Sequence, residues 1–399
     1  MADLRSDRQA FLVGETVYLR PVELADAGSS AIWHQSPFPR PIEVVEEELR
    51  KRLEPEAIEE WDARMLLIAC RRDSDRPVGS VEVASHEWRI GELTVVVDQL
   101  LPEPVRQDYV AEIIDILAPW LLYERHMLSL YFSDAGVSPV VRSGVEKLGG
   151  RLAVQLRECL LVEGNRRDQV FYQIFNRDWV ARLGAPPEPV FGGVERSVRS
   201  PARAPVTVSP ESRPDGALVV GERLYLRPFE PDEAKLVAEW GMQETEVYYP
   251  EGRLLINAHV YGHVHKRAAE DEVPRYIGFA IVERATGQLI GANGLNIEAW
   301  TQRVAETETE IYRPEHRNAG YGTEAKQLLL EYAFERLGMH AVISWVAEIN
   351  PRSAAALRKQ GYRDAGLIAW DSLGDAGFCG NCGFDLLADE WREARESAR

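Results

Sequence analysis

The chain has little cysteine: four in 399 residues, Cys70, Cys159, Cys379 and Cys382. That is too sparse for a disulfide scaffold. Cys379-Gly380-Asn381-Cys382 is a single C-x-x-C, and a structural zinc site would want a second pair. No metal site is expected, and a tight turn between the last two strands would explain the glycines of this motif. Cys70 and Cys159 lie in apolar runs and read as small core residues. Long apolar runs are also missing. No stretch approaches the ~20 residues of a membrane span, and MADLRSDRQA at the start carries no apolar signal core, so a cytoplasmic protein without a membrane partner is expected. Positive charge is in deficit. Lys and Arg number 46 against 64 Asp and Glu, a formal net charge of −18. Such acidity disfavours a nucleic-acid surface. It suits solubility and is compatible with attraction of a cationic amine.

What is present is a duplicated pattern. Gly14-Glu15-Thr16-Val17-Tyr18-Leu19-Arg20-Pro21 matches Gly221-Glu222-Arg223-Leu224-Tyr225-Leu226-Arg227-Pro228, and Trp33 matches Trp240 at the same spacing. Val78-Gly79 matches Ile290-Gly291, Pro102-Glu103 matches Pro314-Glu315, and Ser138-Pro139 matches Asn350-Pro351. Lys147-Leu148-Gly149 matches Lys359-Gln360-Gly361. A series of landmarks in one order argues for a tandem protein. Residues 185–216, rich in Pro, Ser and Gly, read as a linker. The expected domains are therefore 1–184 and 217–399, of about 180 residues each.

In the second half, Glu306 to Arg313 alternates Glu306, Glu308, Glu310 and Tyr312 with Thr307, Thr309 and Ile311, the period of a strand. Arg317-Asn318-Ala319-Gly320-Tyr321-Gly322 follows, then a stretch with Ala325, Leu328, Leu329, Tyr332 and Ala333 at helical spacing. Glycines let backbone turn tightly and approach a ligand, and the first free N–H groups of a helix favour an anion there. Residues 341–347 read as a buried strand. Asn350 then offers an N-cap, with Pro351 at the first position of a short helix.

With YLRP (225–228), IGANGL (290–295), RPEHRNAGYGTEA (313–325), NPRSAAALRKQGY (350–362) and DLLADEW (385–391), this order resembles the GCN5-related N-acetyltransferase (GNAT) superfamily, in its branch that acetylates ribosomal-protein N-termini. The resemblance covers residues 221–395. It implies an α/β (α+β) fold of two tandem domains, each a mostly antiparallel sheet flanked by helices. It also implies acetyl-coenzyme A as donor, with its pyrophosphate in the 317–322 turn. Ile311, Tyr312, Arg313, Arg317, Asn318, Ala319, Gly320, Tyr321, Gly322, Thr323, Asn350, Ser353 and Arg358 are the expected cofactor residues, with Lys359 a further cation. Asn350 and Ser353 would face the pantetheine and thiol, and Ser353 could protonate the leaving thiolate. Acetyl transfer also needs a base for the amine. Alternation puts the three glutamates on one strand face, and Glu308 and Glu310, nearer the turn, are the expected candidates. A β-bulge would change that choice. Tyr362 is a second phenol candidate for acid chemistry and reads equally as core.

At the first half's equivalent positions Asp108 replaces Gly320, Val110 replaces Gly322 and Val105 replaces Arg317. A carboxylate there repels phosphate, and valine resists a positive φ. The first domain is expected to be a degenerate copy. The acceptor is a small-molecule amine or a protein N-terminus, and segment 241–265, with Tyr248, Tyr249, His259, Tyr261, His263 and His265, is its expected wall. A homodimer is left open. The alternative reading is a non-catalytic acyl-coenzyme A sensor or scaffold.

Overall fold

The computed structural model describes residues 10–34, 40–54, 64–86, 89–192, 208–230, 232–243, 274–374 and 377–397. Most of the expected acceptor wall, from residue 244, lies outside the described residues, as do residues 193–207 of the expected linker. The chain divides into two compact units, Met1–Ala153 with Val170–Pro187, and Val154–Gln169 with Glu188–Arg399.

In the first unit the elements run β1 (Leu12–Val13), β2 (Val17–Pro21), α1 (Ser30–Trp33), α2 (Ile42–Arg52), β3 (Arg64–Arg71), β4 (Pro77–His86), β5 (Ile90–Val97), α3 (Glu103–Pro119), β6 (Ser129–Ala135) and α4 (Pro139–Lys147). Then come β7 (Gly150–Val162) and β8 (Asn165–Phe175), whose residues 154–169 belong to the second unit, and α5 (Arg177–Leu183). Successive strands β1 to β5 pair antiparallel, and β5 pairs β6 in parallel. Apolar residues of α3 and α4, such as Ile113, Leu117, Val141 and Val145, bury against one face of the sheet. Trp33, Val45 and Leu49 bury against the other.

In the second unit the elements are β9 (Val219–Val220), β10 (Leu224–Arg227), α6 (Glu233–Gln243), β11 (Tyr276–Glu283), β12 (Leu289–Ala299), β13 (Val304–Ile311), α7 (Tyr321–Glu331), β14 (Ala341–Ala347), α8 (Pro351–Lys359), β15 (Arg363–Gly374), β16 (Gly377–Leu387) and α9 (Ala388–Ser397). The strand order is β15-β16-β14-β13-β12-β11-β10-β9. Among the described residues of this unit only β13 and β14 pair in parallel, so the architecture is mixed α/β with a mostly antiparallel sheet. Leu295, Ala325, Leu329, Leu357 and Phe384 fill the core under α7 and α8. Tyr225, Val237, Val282 and Tyr312 fill the opposite face with Trp240. Residues 154–169, within the expected first domain, pack with this unit. Arg157 pairs with the fully buried Asp385 at 2.7 Å and with Glu390 at 2.6 Å.

The repeated YLRP arginines have a structural task. Arg20 forks onto Asp26 at 2.8 and 2.7 Å, and Arg227 forks onto Glu233 at 2.9 and 2.5 Å. Each holds the segment after its strand through a bidentate ion pair. The C-x-x-C motif departs from expectation: Cys379 to Cys382 lie inside β16, not in a turn. Gly380 is closely surrounded there: a Cβ would come within 2.6 Å of Leu367 Cδ1, 2.9 Å of Glu348 Oε2 and 3.0 Å of the Ile368 carbonyl.

Candidate active site

The parallel pairing of β13 with β14 is short. It runs Val304↔Ala341, Ala305↔Val342 and Glu306↔Ile343, while both strands continue well beyond that point. The last tie is made by side chains. Thr307 Oγ1 lies 2.8 Å from Ser344 Oγ and 2.8 Å from Tyr362 Oη, and Ser344 Oγ donates to the Thr307 carbonyl at 2.7 Å. Past this knot the two strands have no ladder between them. Their carboxyl ends point toward α7 and α8, whose N-termini leave backbone N–H groups without intrahelical partners.

The turn before α7 has the expected strain. Gly320 is its N-cap at φ 81°, and Asn318 is also left-handed at φ 61°. Gly322 is different from expectation: it is helical, within the first turn of α7, and needs no positive φ. Arg317 folds back, Nε donating to the Ile311 carbonyl and Nη2 to the Tyr312 carbonyl, both at 3.0 Å. It thereby braces the turn. Ala319 accepts from Arg223 Nη1 at 2.9 Å, and that guanidinium lies 4.5 Å from the Tyr321 ring centroid. Glu324, 3% exposed, accepts from the Arg223 and Leu224 backbone N–H groups at 2.7 and 3.2 Å. Sequence reasoning passed over Glu324 and Arg223. The signal was available, because Glu112 stands at the equivalent position and accepts from the Thr16 and Val17 N–H groups at 2.7 and 3.1 Å.

Of the remaining expected cofactor residues, Tyr312 is buried, its ring 5.7 Å from that of Trp240, and its N–H is used by the Ile290 carbonyl. Arg313 pairs with Glu315 and lies over the Trp240 ring. Ile311 and Tyr321 pack at the edge of the main core, and Thr323 is half-buried in the first turn of α7. Asn350 caps α8, its Oδ1 accepting from the Ser353 N–H at 3.1 Å. Arg358 forks onto Asp364 at 2.9 and 2.6 Å. Lys359 closes α8. Tyr362 is buried, and desolvation pushes its phenol well above the ordinary range. It is core, not a proton donor to solvent-borne groups.

The glutamate face is regular. Glu306, Glu308 and Glu310 pair across with Asn296, Gly294 and Ala292, and the register shift in this ladder falls at Ile297/Ala299, away from them. Burial and the neighbouring charges of Glu308 and Glu298 push Glu306 up to about 7. Glu308 Oε2 accepts from Tyr276 Oη at 3.0 Å. Lys326, buried on α7, is pushed down to about 7 by desolvation, against the pull of Glu308 and Glu306. Carboxylates beside parted strands and an anion-accepting turn can together accept a proton and hold an anionic carrier.

Residues 223–363 match the family model described as Acetyltransferase (GNAT) domain, so the second unit carries a domain of that family, whose members are acyl-coenzyme A-dependent acetyltransferases. Over 58 residues the chain is 33% identical to the uncharacterized N-acetyltransferase YnaD of Bacillus subtilis (strain 168), covering 14% of this chain and only 34% of that relative. A GNAT-family acetyltransferase from Bacillus anthracis is similar at 19% identity and TM-score 0.36, over 42% of this chain and 96% of that one. Dodecameric spermidine N-acetyltransferase from Vibrio cholerae is similar at 20% identity and TM-score 0.35, over 42% and 96%. No helix among the described residues is long and apolar enough to cross a membrane.

Proposed function

We propose that this protein moves an acetyl group from acetyl-coenzyme A to a primary amine, of a small molecule or a protein N-terminus, with Glu308 as the base. The observation that carries the reading is the parting of β13 and β14 after Glu306↔Ile343, next to the left-handed Gly320 at the mouth of α7. The residues fit the carrier: the free N–H groups of the turn and helix start suit its phosphates, and the open strand edges suit its pantetheine amides. Ser353, at the start of α8, is the candidate donor to the thiolate. Direct attack by the amine then needs only a positioned base and polarisation of the thioester carbonyl.

The first unit reads as a degenerate copy. Its support is the shared strand order, the paired roles of Glu112 with Glu324 and Arg20 with Arg227, and the caps at Ser138 and Asn350. In place of the glycine turn, α3 begins at Glu103, so Asp108 and Val110 are already helical. Ser138 Oγ there bonds Gln107 Oε1 at 3.0 Å, joining α4 to α3.

The test is thiol release from acetyl-coenzyme A with a panel of primary amines. Glu308→Gln should lower kcat by about 10²-fold or more while the affinity for coenzyme A, read by titration calorimetry at one site per chain, stays unchanged. Full kcat in that variant would remove Glu308 from the role, and two equivalent sites would end the degenerate-copy reading.

A further inference from the structure

Tyr276 opens β11, two strands from β13, yet its phenol reaches Glu308 Oε2 at 3.0 Å. The path runs along the sheet face over β12, and the residue beneath it is Gly294, which pairs with Glu308 on one side and Gly278 on the other. A side chain at 294 would close this path. Its Cβ would collide with the Tyr276 hydroxyl and stand 2.9 Å from Glu308 Oε2. Gly294 is not left-handed, so turn geometry does not explain it. Clearance for one hydrogen bond does.

We propose that Tyr276 and Gly294 are positioning residues for Glu308. The phenol fixes Glu308 Oε2 and so orients the carboxylate that takes the proton of the acceptor amine. The proposal rests on the reading of Glu308 as base. Among the described residues, the titratable groups around Glu308 are Tyr276 from β11, Glu306 and Glu310 on its own strand, Tyr312 just past that strand, and Lys326 from α7. Desolvation and the nearby glutamates raise the Tyr276 phenol far above its usual range, so it stays a donor at every working pH. Losing this donor should free the carboxylate to rotate and slow the proton transfer.

The experiment uses the full chain, acetyl-coenzyme A and the amine panel. Tyr276→Phe should lower kcat by about tenfold and leave KM for acetyl-coenzyme A within about twofold. Gly294→Ala should do the same. In the Glu308→Gln background, Tyr276→Phe should add nothing. If Glu308→Gln is inactive but Tyr276→Phe keeps the parental kcat, the positioning role is wrong and the base stands. If the Tyr276→Phe loss persists undiminished in the Glu308→Gln background, the tyrosine acts elsewhere and the proposal falls. If Glu308→Gln is fully active, the base reading itself is wrong, and the proposal goes with it.

Discussion

Glu324 holds Arg223 twice, through the backbone N–H at 2.7 Å and through Nε at 2.8 Å. One carboxylate thus fastens the start of β10 to the first turn of α7, while Arg223 Nη1 holds the Ala319 carbonyl in the turn itself. The Gly221 that precedes them leaves room for this carboxylate, since a Cβ there would be 2.9 Å from Glu324 Oε1. Glu324→Ala would strand two backbone donors, the Leu224 N–H among them, and should cost about 2–3 kcal/mol in denaturant unfolding. Glu324→Gln keeps one acceptor oxygen and should recover part of that loss. An unchanged midpoint for the alanine variant would show that water replaces the carboxylate.

The two glycines of the turn should respond in opposite directions. Gly320 is left-handed and a Cβ would meet Arg223 Nη2 at 3.4 Å, so Gly320→Ala should destabilise by about 1–2 kcal/mol and weaken coenzyme A binding. Gly322 is helical with Ile311 Cγ1 at an ordinary 3.7 Å, so Gly322→Ala should stabilise the fold by up to about 1 kcal/mol. Thermal unfolding of both variants checks the pair. Equal destabilisation would mean that the helix begins later than Tyr321.

This contrast marks what was legible in the sequence. The alternating glutamates, the Asn350 cap and the helix after RNAGYG follow local rules of period and capping, and all stand where those rules put them. Gly322 did not, because a motif cannot say at which residue the helix begins. The same gap hid the fate of Asp108 and Val110. Pro102 and Pro104 start α3 early, so a turn-based comparison assigned them a conformation they never need. The Tyr276–Glu308 bond was out of reach, because it depends on the register of three strands and on the size of the residue between them. The cations were read by charge alone, whereas Arg317 and Arg358 are turned to nearby backbone and carboxylate partners.

Tyr362 separates a structural hydroxyl from a catalytic one. Its Oη bonds Thr307 Oγ1, which also has Ser344 Oγ at 2.8 Å and the Ile343 carbonyl at 3.3 Å. Tyr362→Phe should therefore cost about 1 kcal/mol of stability. The basic limb of the rate profile should not move, because the buried phenol does not ionise in the working range. A shifted basic limb would bring Tyr362 back as a proton donor.

Glu306 and Lys326 should write two separate slopes into stability against pH. Glu306 is raised from 4.5 to about 7 in the fold, chiefly by desolvation. Between those values the unfolded chain loses this proton first, so the folded state binds more protons and stability falls as pH rises. The benefit is complete below about pH 4.5 and gone above about 7. Lys326 is lowered from 10.5 to about 7, again by desolvation. Between 7 and 10.5 the unfolded chain holds the extra proton, so stability rises with pH there. Glu306→Gln should flatten the first slope. Lys326→Met should flatten the second, and it should stabilise the protein at neutral pH by removing a buried ammonium. The Glu308 and Glu306 charges oppose the lysine's shift, so Glu306→Gln should also lower the onset of the second slope. Urea unfolding at closely spaced pH values measures both windows. Parallel curves for parent and Lys326→Met from pH 7 to 10 would show that water reaches this ammonium in the folded protein.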